Sequence, residues 1–482
     1  MKNIKARNWH VVILCILLLI VDMSFLFLTL SLNILPAIYN TVVILMLALL
    51  TVLALILLAS SREKRGKRRA GIILSVIMII LMVIGCFYLA NTYSAFSRMS
   101  DDDKQYEEFY VVALKDGRYK RVGDIEKETV YVHKGASKTY EEAQGILKSE
   151  VDVRLEAVEG YMELKSIIIG DDGQKNDRLI FLSSNNYELI CEETEGFEKN
   201  TKIIHTVSVE IEGNDIAKRV GITEQPFNVY ISGIDTFGGI NKVSRSDVNM
   251  IMTVDPVDKE ILLTSIPRDM YVTLHSYGAL DKLTHSGIYG IGETVQTVED
   301  WLGMDINYYI RVNFTSLQDI VDAIGGIDVT SEYAFETHGR QNRGYSFTEG
   351  ENHLDGAAAL AFARERKSFE EGDQERIKNQ QRVLKGIIDK ITGSTAILTG
   401  YTGIMNSVGN EIQTNMSEKD IAALVRMQLE DLGGWNIKMI SITGSGANAS
   451  TYSMGTRQLY VVIPDEASVK AAQEAINKVQ EQ

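Results

Sequence analysis

The chain has 482 residues and a formal net charge of -15, with 45% apolar residues, 5 Pro and 3 Cys. That composition excludes collagenous, disulfide-stapled and largely disordered proteins, and the acidic balance argues against a nucleic-acid coat, which needs clustered positive charge. The average hides a division: the first ninety residues hold nine Lys/Arg against two Asp/Glu, a balance of +7, so the rest carries -22.

Residues 11–32, 41–59 and 70–90 are nearly uninterrupted apolar runs, each close to the ~20 residues a helix needs to cross a bilayer. The first is too long for a cleaved signal peptide and a second span follows at once, which predicts three transmembrane helices. Lys2, Lys5 and Arg7 precede the first span and six cations lie within 61–69, whereas residues 33–40 carry none. The positive-inside rule then places the N-terminus and the basic loop in the cytoplasm and everything after residue 90 outside. Asp22, inside the first span, is a functional hypothesis by default; its plainer reading is a side chain reaching toward the outer interface. Cys15 and Cys86 lie in spans, which leaves Cys191 alone outside without an intrachain partner.

After the spans, a polar tether is expected over 91–103, followed by a small α/β module. Its strands are expected over 109–114, 129–132, 164–169, 178–182, 188–191 and 202–211, with a helix over 139–147. No spacing of His, Asp or Arg in it suggests chemistry, so a spacer or partner-binding role is expected. The chain divides again near 221–226, giving three domains: a membrane anchor over 1–90, an accessory domain over 91–222 and a larger α/β domain over 223–482.

The third part begins with strands over 227–232, 247–254 and 260–266, the last two joined by the turn Asp255-Pro256-Val257-Asp258-Lys259 into an antiparallel hairpin. The hairpin sets Arg245-Ser246-Asp247 beside Pro267-Arg268-Asp269. Residues two apart in an extended segment share a side, so Arg245 and Asp247 point together. If the first strand runs parallel to the third, Asp235 joins the same rim. Further on, Asp355 can cap a helix over 357–362 that leads into Arg364-Glu365-Arg366-Lys367, and a second helix starts near Asp373. On that helix Asp373, Arg376 and Gln380 fall on one face, with Ile377 and Leu384 on another.

Guanidinium groups match phosphate oxygens in a bidentate geometry, and Mg²⁺ is commonly held by one or two carboxylates plus the substrate's own phosphates. These residues therefore fit a metal-assisted pyrophosphate site, or equally an ion-pair network tying strands to helices. No Gly-x-Ser-x-Gly elbow, Walker A loop or His-Glu-x-x-His helix occurs. His285 stands near a glycine-rich loop, where a structural role is the commoner one.

Gly233-Ile234-Asp235, Arg245-Ser246-Asp247, Ser265-Ile266-Pro267-Arg268-Asp269, Asp281-Lys282-Leu283, Val312-Asn313-Phe314, the run Val321 to Val329, Leu354-Asp355-Gly356, and Arg364-x-Arg366 with Gly372-Asp373-x-x-Arg376-x-x-x-Gln380 follow in this order. Together they resemble the LytR-CpsA-Psr family, and with the spans and the intervening module the whole layout is similar to the family's streptococcal capsule member. The resemblance implies an α/β domain with a central sheet between helices and an apolar lipid cleft, to which 288–302 and 308–327 could contribute. It also implies a phosphotransferase that moves capsular polysaccharide or a similar glycan from a polyprenyl pyrophosphate carrier onto peptidoglycan at a Gram-positive cell membrane, in contact with capsule synthesis machinery and without nucleic acid. Carried onto matching positions, Asp235 and Asp247 would hold Mg²⁺ or Mn²⁺. Arg245, Arg268, Arg364, Arg366, Arg376 and Gln380 would hold the pyrophosphate, and Arg245, Asp247, Arg268 and Asp373 would serve catalysis. Thr284-His285-Ser286 replaces the family's more usual Asn-His-Ala. A non-catalytic lipid-binding regulator or scaffold, and a simple hydrolase, are the alternative functions; a DNA-binding regulator is disfavoured because the cytoplasmic segments are too short.

Overall fold

A computed structural model describes residues 9–60, 65–100, 104–134, 137–212, 215–234, 240–338, 344–370, 372–393, 409, 412–455 and 457–481. Helices α1 (Trp9–Leu32), α2 (Ala37–Ala59) and α3 (Arg65–Ser100) form a bundle, and all three are long and apolar enough to cross a membrane. Leu18, Leu47, Ala54, Met78 and Met82 fill its centre, while Met23, Phe27, Leu49 and Leu81 face outward. Asp22 does not reach for the interface as expected. It turns into the bundle, where the Thr51 hydroxyl donates to it at 2.6 Å, since a hydrogen-bonded carboxyl between helices costs less than one facing hydrocarbon.

The expected tether after residue 90 is instead a continuation of α3 to Ser100. Its last turns carry an apolar stripe, Ala95, Phe96 and Met99, buried in part against Ala422 of a distant helix. Arg426 donates to the Asn33 carbonyl at 3.1 Å, so the α1–α2 turn and the large C-terminal region meet at one end of the bundle.

The first globular region comprises β1 (Lys104–Leu114), β2 (Thr129–His133), α4 (Lys138–Glu150), β3 (Arg154–Val158), α5 (Tyr161–Ile168), β4 (Leu179–Ser183), α6 (Ser184–Glu193), the single turn α7 (Phe197–Asn200) and β5 (Thr201–Glu212). They form a five-stranded sheet in the order β3-β2-β4-β1-β5. Alternation sorts its faces: Phe109, Val111 and Ala113 pack on Tyr140, Ala143 and Leu147 of α4, while Val112 packs with Leu164 and Ile168 of α5 and Ile190 of α6. The stretches 164–169 and 188–191 read as strands, yet 164–168 and 188–191 belong to helices, and Ile169 alone makes a β-bridge, to Lys175. Leu164 and Ile168 are four apart and Tyr187 and Ile190 three apart, and short apolar runs do not reveal the period that separates helix from strand. The Ser183 side chain caps α6 by accepting from Asn186 N, a start signal present in the sequence.

The second region is built on β6 (Phe227–Ile234), β7 (Ser246–Asp255), β8 (Glu260–Ile266), β9 (Tyr271–Thr273), β10 (Leu280–Lys282), α8 (Leu283–Ser286), α9 (Ile291–Leu302), β11 (Tyr308–Val312), α10 (Phe314–Ala323), β12 (Ile327–Ser331), β13 (Phe335–Glu336), β14 (Ser346–Phe347), β15 (Gly350–Leu354), α11 (Gly356–Arg364), α12 (Asp373–Gly393), β16 (Gln413–Thr414), α13 (Glu418–Glu430), β17 (Asn436–Ser441), β18 (Gly444–Ser450), β19 (Gln458–Pro464) and α14 (Glu466–Gln480). The main sheet runs β16-β11-β6-β7-β8-β17. Tyr230, Ile251, Leu262 and Ile266 meet α9 and α14 on one face. Val229, Ile231, Met250 and Leu263 meet α12 and α13 on the other, which makes an α/β sandwich. Of the apolar stretches expected to line a lipid cleft, Val295 and Val298 lie in the first core, and Val321, Ile324 and Ile327 pack with Ala359, Phe362 and Val383 in a separate cluster.

Candidate active site

Both β6 and β8 lie antiparallel to β7, on either side of it, and so run parallel to each other. Gly233 pairs with Val248 and Ile266 with Asn249, so the start of β7 shares one edge with the ends of its two neighbours. This is the geometry the turn at 255–259 requires. Across it, Arg268 Nη1 donates to Asp247 Oδ1 at 2.8 Å.

Helix α8 closes the same edge from above. Thr284 N bonds to the Arg268 carbonyl at 2.8 Å, and its hydroxyl donates to Asp247 Oδ1 at 2.9 Å. Close approach is possible because of Gly287: a Cβ there would stand 2.6 Å from Ser244 O and 2.7 Å from Ser246 N. A side chain at 287 would thus push on the backbone that carries Arg245.

Asp355 caps α11 by accepting from Ala358 N, as expected. Buried Glu365 then accepts from the backbone N–H groups of Lys367 and Ser368 through Oε1 and from His338 N through Oε2, fixing the loop that leads to α12. Gln381 donates to the carbonyls of Ile440 (2.7 Å) and Leu263 (3.2 Å), which pins α12 across β8 and β17. With the helix so held, Arg376 pairs with Asp373 at 2.5 Å and Gln380 follows one turn later on the same face. Arg364 ends α11 with its guanidinium 3.9 Å from the centre of the Phe314 ring, while Arg366 is exposed. Asp235 lies outside the described residues.

The electrostatics tie these groups into one site. Burial would raise the Asp247 carboxyl, but Arg268 and Arg245, the Thr284 bond and Arg376 outweigh it and hold the group below its usual range. Burial also opposes the charge on Arg245 and Arg268; Asp247 counters it for both, joined by Glu192 at Arg245 and Asp269 at Arg268, and both guanidiniums end above their usual value. Arg376 goes the other way: burial, then the positive charges of Arg268 and Arg366, prevail over Asp373 and Asp247. The Nε atoms of Arg245, Arg268 and Arg376 are all buried without a hydrogen-bond partner. An unsatisfied buried donor is costly, and three of them on arginines that feel a common carboxylate form a site an oxyanion would satisfy.

A divalent cation is a narrower question. Among the described residues no group of three or more His, Cys, Asp or Glu could hold a metal. Asp247 is the carboxylate whose charge Arg245, Arg268 and Arg376 all feel, and its Oδ1 already accepts two bonds. One or two carboxylates supplemented by phosphate oxygens nevertheless make a donor set that suits Mg²⁺.

Several participants were not anticipated. Thr284 is visible in the sequence only as a departure at the position before His285. His285 itself is buried, its Nδ1 2.7 Å from both Asp281 Oδ1 and Ser453 Oγ, and Asp281 also accepts from Ser453 N at 2.7 Å. Serine and aspartate meet the same ring nitrogen, so this cluster is no relay for a nucleophile; it fixes the loop that presents Thr284. Glu188 and Glu192 of α6 also enter, each facing Arg245.

An arginine-rich edge of a mixed sheet between helices, joined to three apolar helices, thus defines the class: an α/β domain with a candidate anion site. The model of the LytR_cpsA_psr family matches residues 182–478, well over half of the sequence, and the chain belongs to that family. It is 33% identical over 255 residues to the polyisoprenyl-teichoic acid–peptidoglycan teichoic acid transferase TagU of Bacillus cereus, covering 53% of this chain and 79% of the relative. TagU of Bacillus subtilis is 34% identical over 252 residues, covering 50% and 80% respectively. Among solved structures, B. subtilis TagV shares 29% identity with a TM-score of 0.45 over 54% of this chain and 98% of that one. TagT bound to LI-WTA shares 26% with a TM-score of 0.43 over 56% and 96%.

Proposed function

We propose that the protein is a membrane-anchored phosphotransferase that moves a glycopolymer from a polyprenyl pyrophosphate carrier onto peptidoglycan outside a Gram-positive cell. The observation that carries this reading is the trio of buried Nε donors without a hydrogen-bond acceptor on Arg245, Arg268 and Arg376 around Asp247. Family membership and relatives named as teichoic acid transferases support the reaction class.

The chemistry needs no protein nucleophile. The arginines orient the diphosphate and stabilise charge as it develops. The acceptor sugar hydroxyl attacks the glycan-linked phosphorus, the bond from that phosphorus to the bridging oxygen breaks, and polyprenyl phosphate leaves. The hydroxyl proton passes to solvent and the product is a phosphodiester between glycan and wall. Asp247, with Asp235, would hold Mg²⁺ or Mn²⁺, which supplies charge neutralisation when bound. Asp373 orients Arg376, and Arg364, Arg366 and Gln380 extend the anion site along α11 and α12.

Mass spectrometry of lipid co-purifying with the full chain tests this. Wild type retains polyprenyl phosphates and Arg268→Ala loses them; a wild-type protein free of such lipids after gentle extraction would overturn the assignment.

A further inference from the structure

Nothing in the transfer chemistry requires α6, yet its C-terminal half is packed with acid and aimed at the donor site. Glu188 and Glu192, four apart on one face, both approach Arg245: Nη1 donates to Glu192 Oε2 at 2.5 Å, and Nη2 lies 3.8 Å from Glu188 Oε2. Glu193 pairs with Arg457 at 2.8 Å. Like charges at this spacing repel, and carboxylates at a helix C-terminus oppose its dipole, so the helix alone disfavours all three. They are held there by the arginines of the second region.

The contact is unequal. The Arg245 side chain is 8% exposed, whereas those of Glu188 and Glu192 are 42% and 47% exposed. The arginine is also fixed through its backbone. Tyr106 N bonds to Asn241 O at 2.9 Å and Val243 N to Tyr106 O at 3.0 Å, so β1 of the first region grips the segment leading to Arg245. A fixed guanidinium thus faces two carboxylates that can rotate into water while the regions stay docked. Its Nε remains without an acceptor, so the carboxylates satisfy only part of its donor set.

We propose that Glu188 and Glu192 belong to the donor site as stand-ins for phosphate. They occupy the Nη groups of Arg245 until a diphosphate displaces them, so donor entry exchanges one anion for another. This rests on the pyrophosphate-binding reading above and adds residues of the first region to it. A diphosphate brings more charge and a bidentate geometry, and the released carboxylates become hydrated.

The experiment measures geranylgeranyl diphosphate binding to the full chain in detergent, with wild type, Glu188→Gln/Glu192→Gln, Glu193→Gln and Arg245→Ala. The double variant is expected to bind three- to tenfold tighter, Glu193→Gln like wild type, and Arg245→Ala more weakly than all of them. Equal or weaker binding by the double variant, with Arg245→Ala still defective, overturns the exchange and leaves the donor site standing; no binding by wild type or the double variant overturns both. Should the double variant fail to fold, Glu192→Gln alone decides, since Glu192 makes the closer contact with Arg245: tighter binding of the probe than wild type supports the exchange, and equal or weaker binding sinks the proposal.

Discussion

The two sheets treat charge differently. In the first region, pairs such as Lys134 with Glu159 and Arg118 with Glu128 sit at the rim, largely in water. In the second, Arg245, Asp247, Arg268 and Arg376 gather at a sheet edge with side chains only 8% to 22% exposed. Exposed pairs are screened and add little to stability, whereas stripping water from an ion costs several kcal/mol before its partner repays any of it. A protein that needed only stability would have no reason for the second arrangement. The second edge gathers guanidiniums of like charge around one carboxylate, and α6 of the first region leans into it.

That contrast breaks most readily at Asp247. Asp247→Ala leaves three buried guanidiniums without their shared counter-charge and is expected to lower stability by ~3–5 kcal/mol and abolish transfer. A denaturant melt reads the first and glycan transfer the second; a melt close to wild type would mean the arginines are better solvated than their burial indicates. Next comes Gly287→Ala, whose Cβ meets the backbone at Ser244 and Ser246. It should cost ~1–3 kcal/mol as an overpacked contact and weaken diphosphate binding by displacing Arg245, which calorimetry would detect.

Thr284→Val removes one hydrogen bond to Asp247, expected at ~1 kcal/mol. Because Asp247 is held below its usual value, its charge supports the site at neutral pH and is lost only as pH falls through that depressed value. The variant raises it, so the acid limb of the pH–rate profile should move to higher pH.

A separate effect, on stability alone, lies in the first region, where burial pushes the Glu107 carboxyl up to about 7 against the opposing bond from Thr139. A raised carboxyl favours the protonated folded form, so its contribution to stability is complete at low pH and fades as pH rises through about 7. Glu107→Gln should flatten that slope in melts recorded from pH 5 to 8, and an unchanged slope would place the titration elsewhere.

The site was legible in the sequence to the extent that local rules govern it. Turn residues at 255–259 dictate the hairpin, and the hairpin dictates that Asp247 meets Arg268; the Asp355 cap and the α12 face follow from short-range spacing. Helices α5 and α6 were not legible as helices, because eight to ten residues with a few apolar positions fit either period. The tail of α3 was misjudged because its composition is polar while its stripe of Ala95, Phe96 and Met99 is not. Glu192 could not be foreseen, since its pairing with Arg245 spans 53 residues and two sheets.

The unbroken third helix has a mechanical consequence. Had residues 91–100 been slack chain, the globular regions would turn freely on the end of the bundle. A helix rising about 1.5 Å per residue instead makes those ten residues a strut of roughly 15 Å. Docked on α13, which also holds the α1–α2 turn through Arg426 and the Asn33 carbonyl, the strut fixes one orientation of the second region on the end of the bundle.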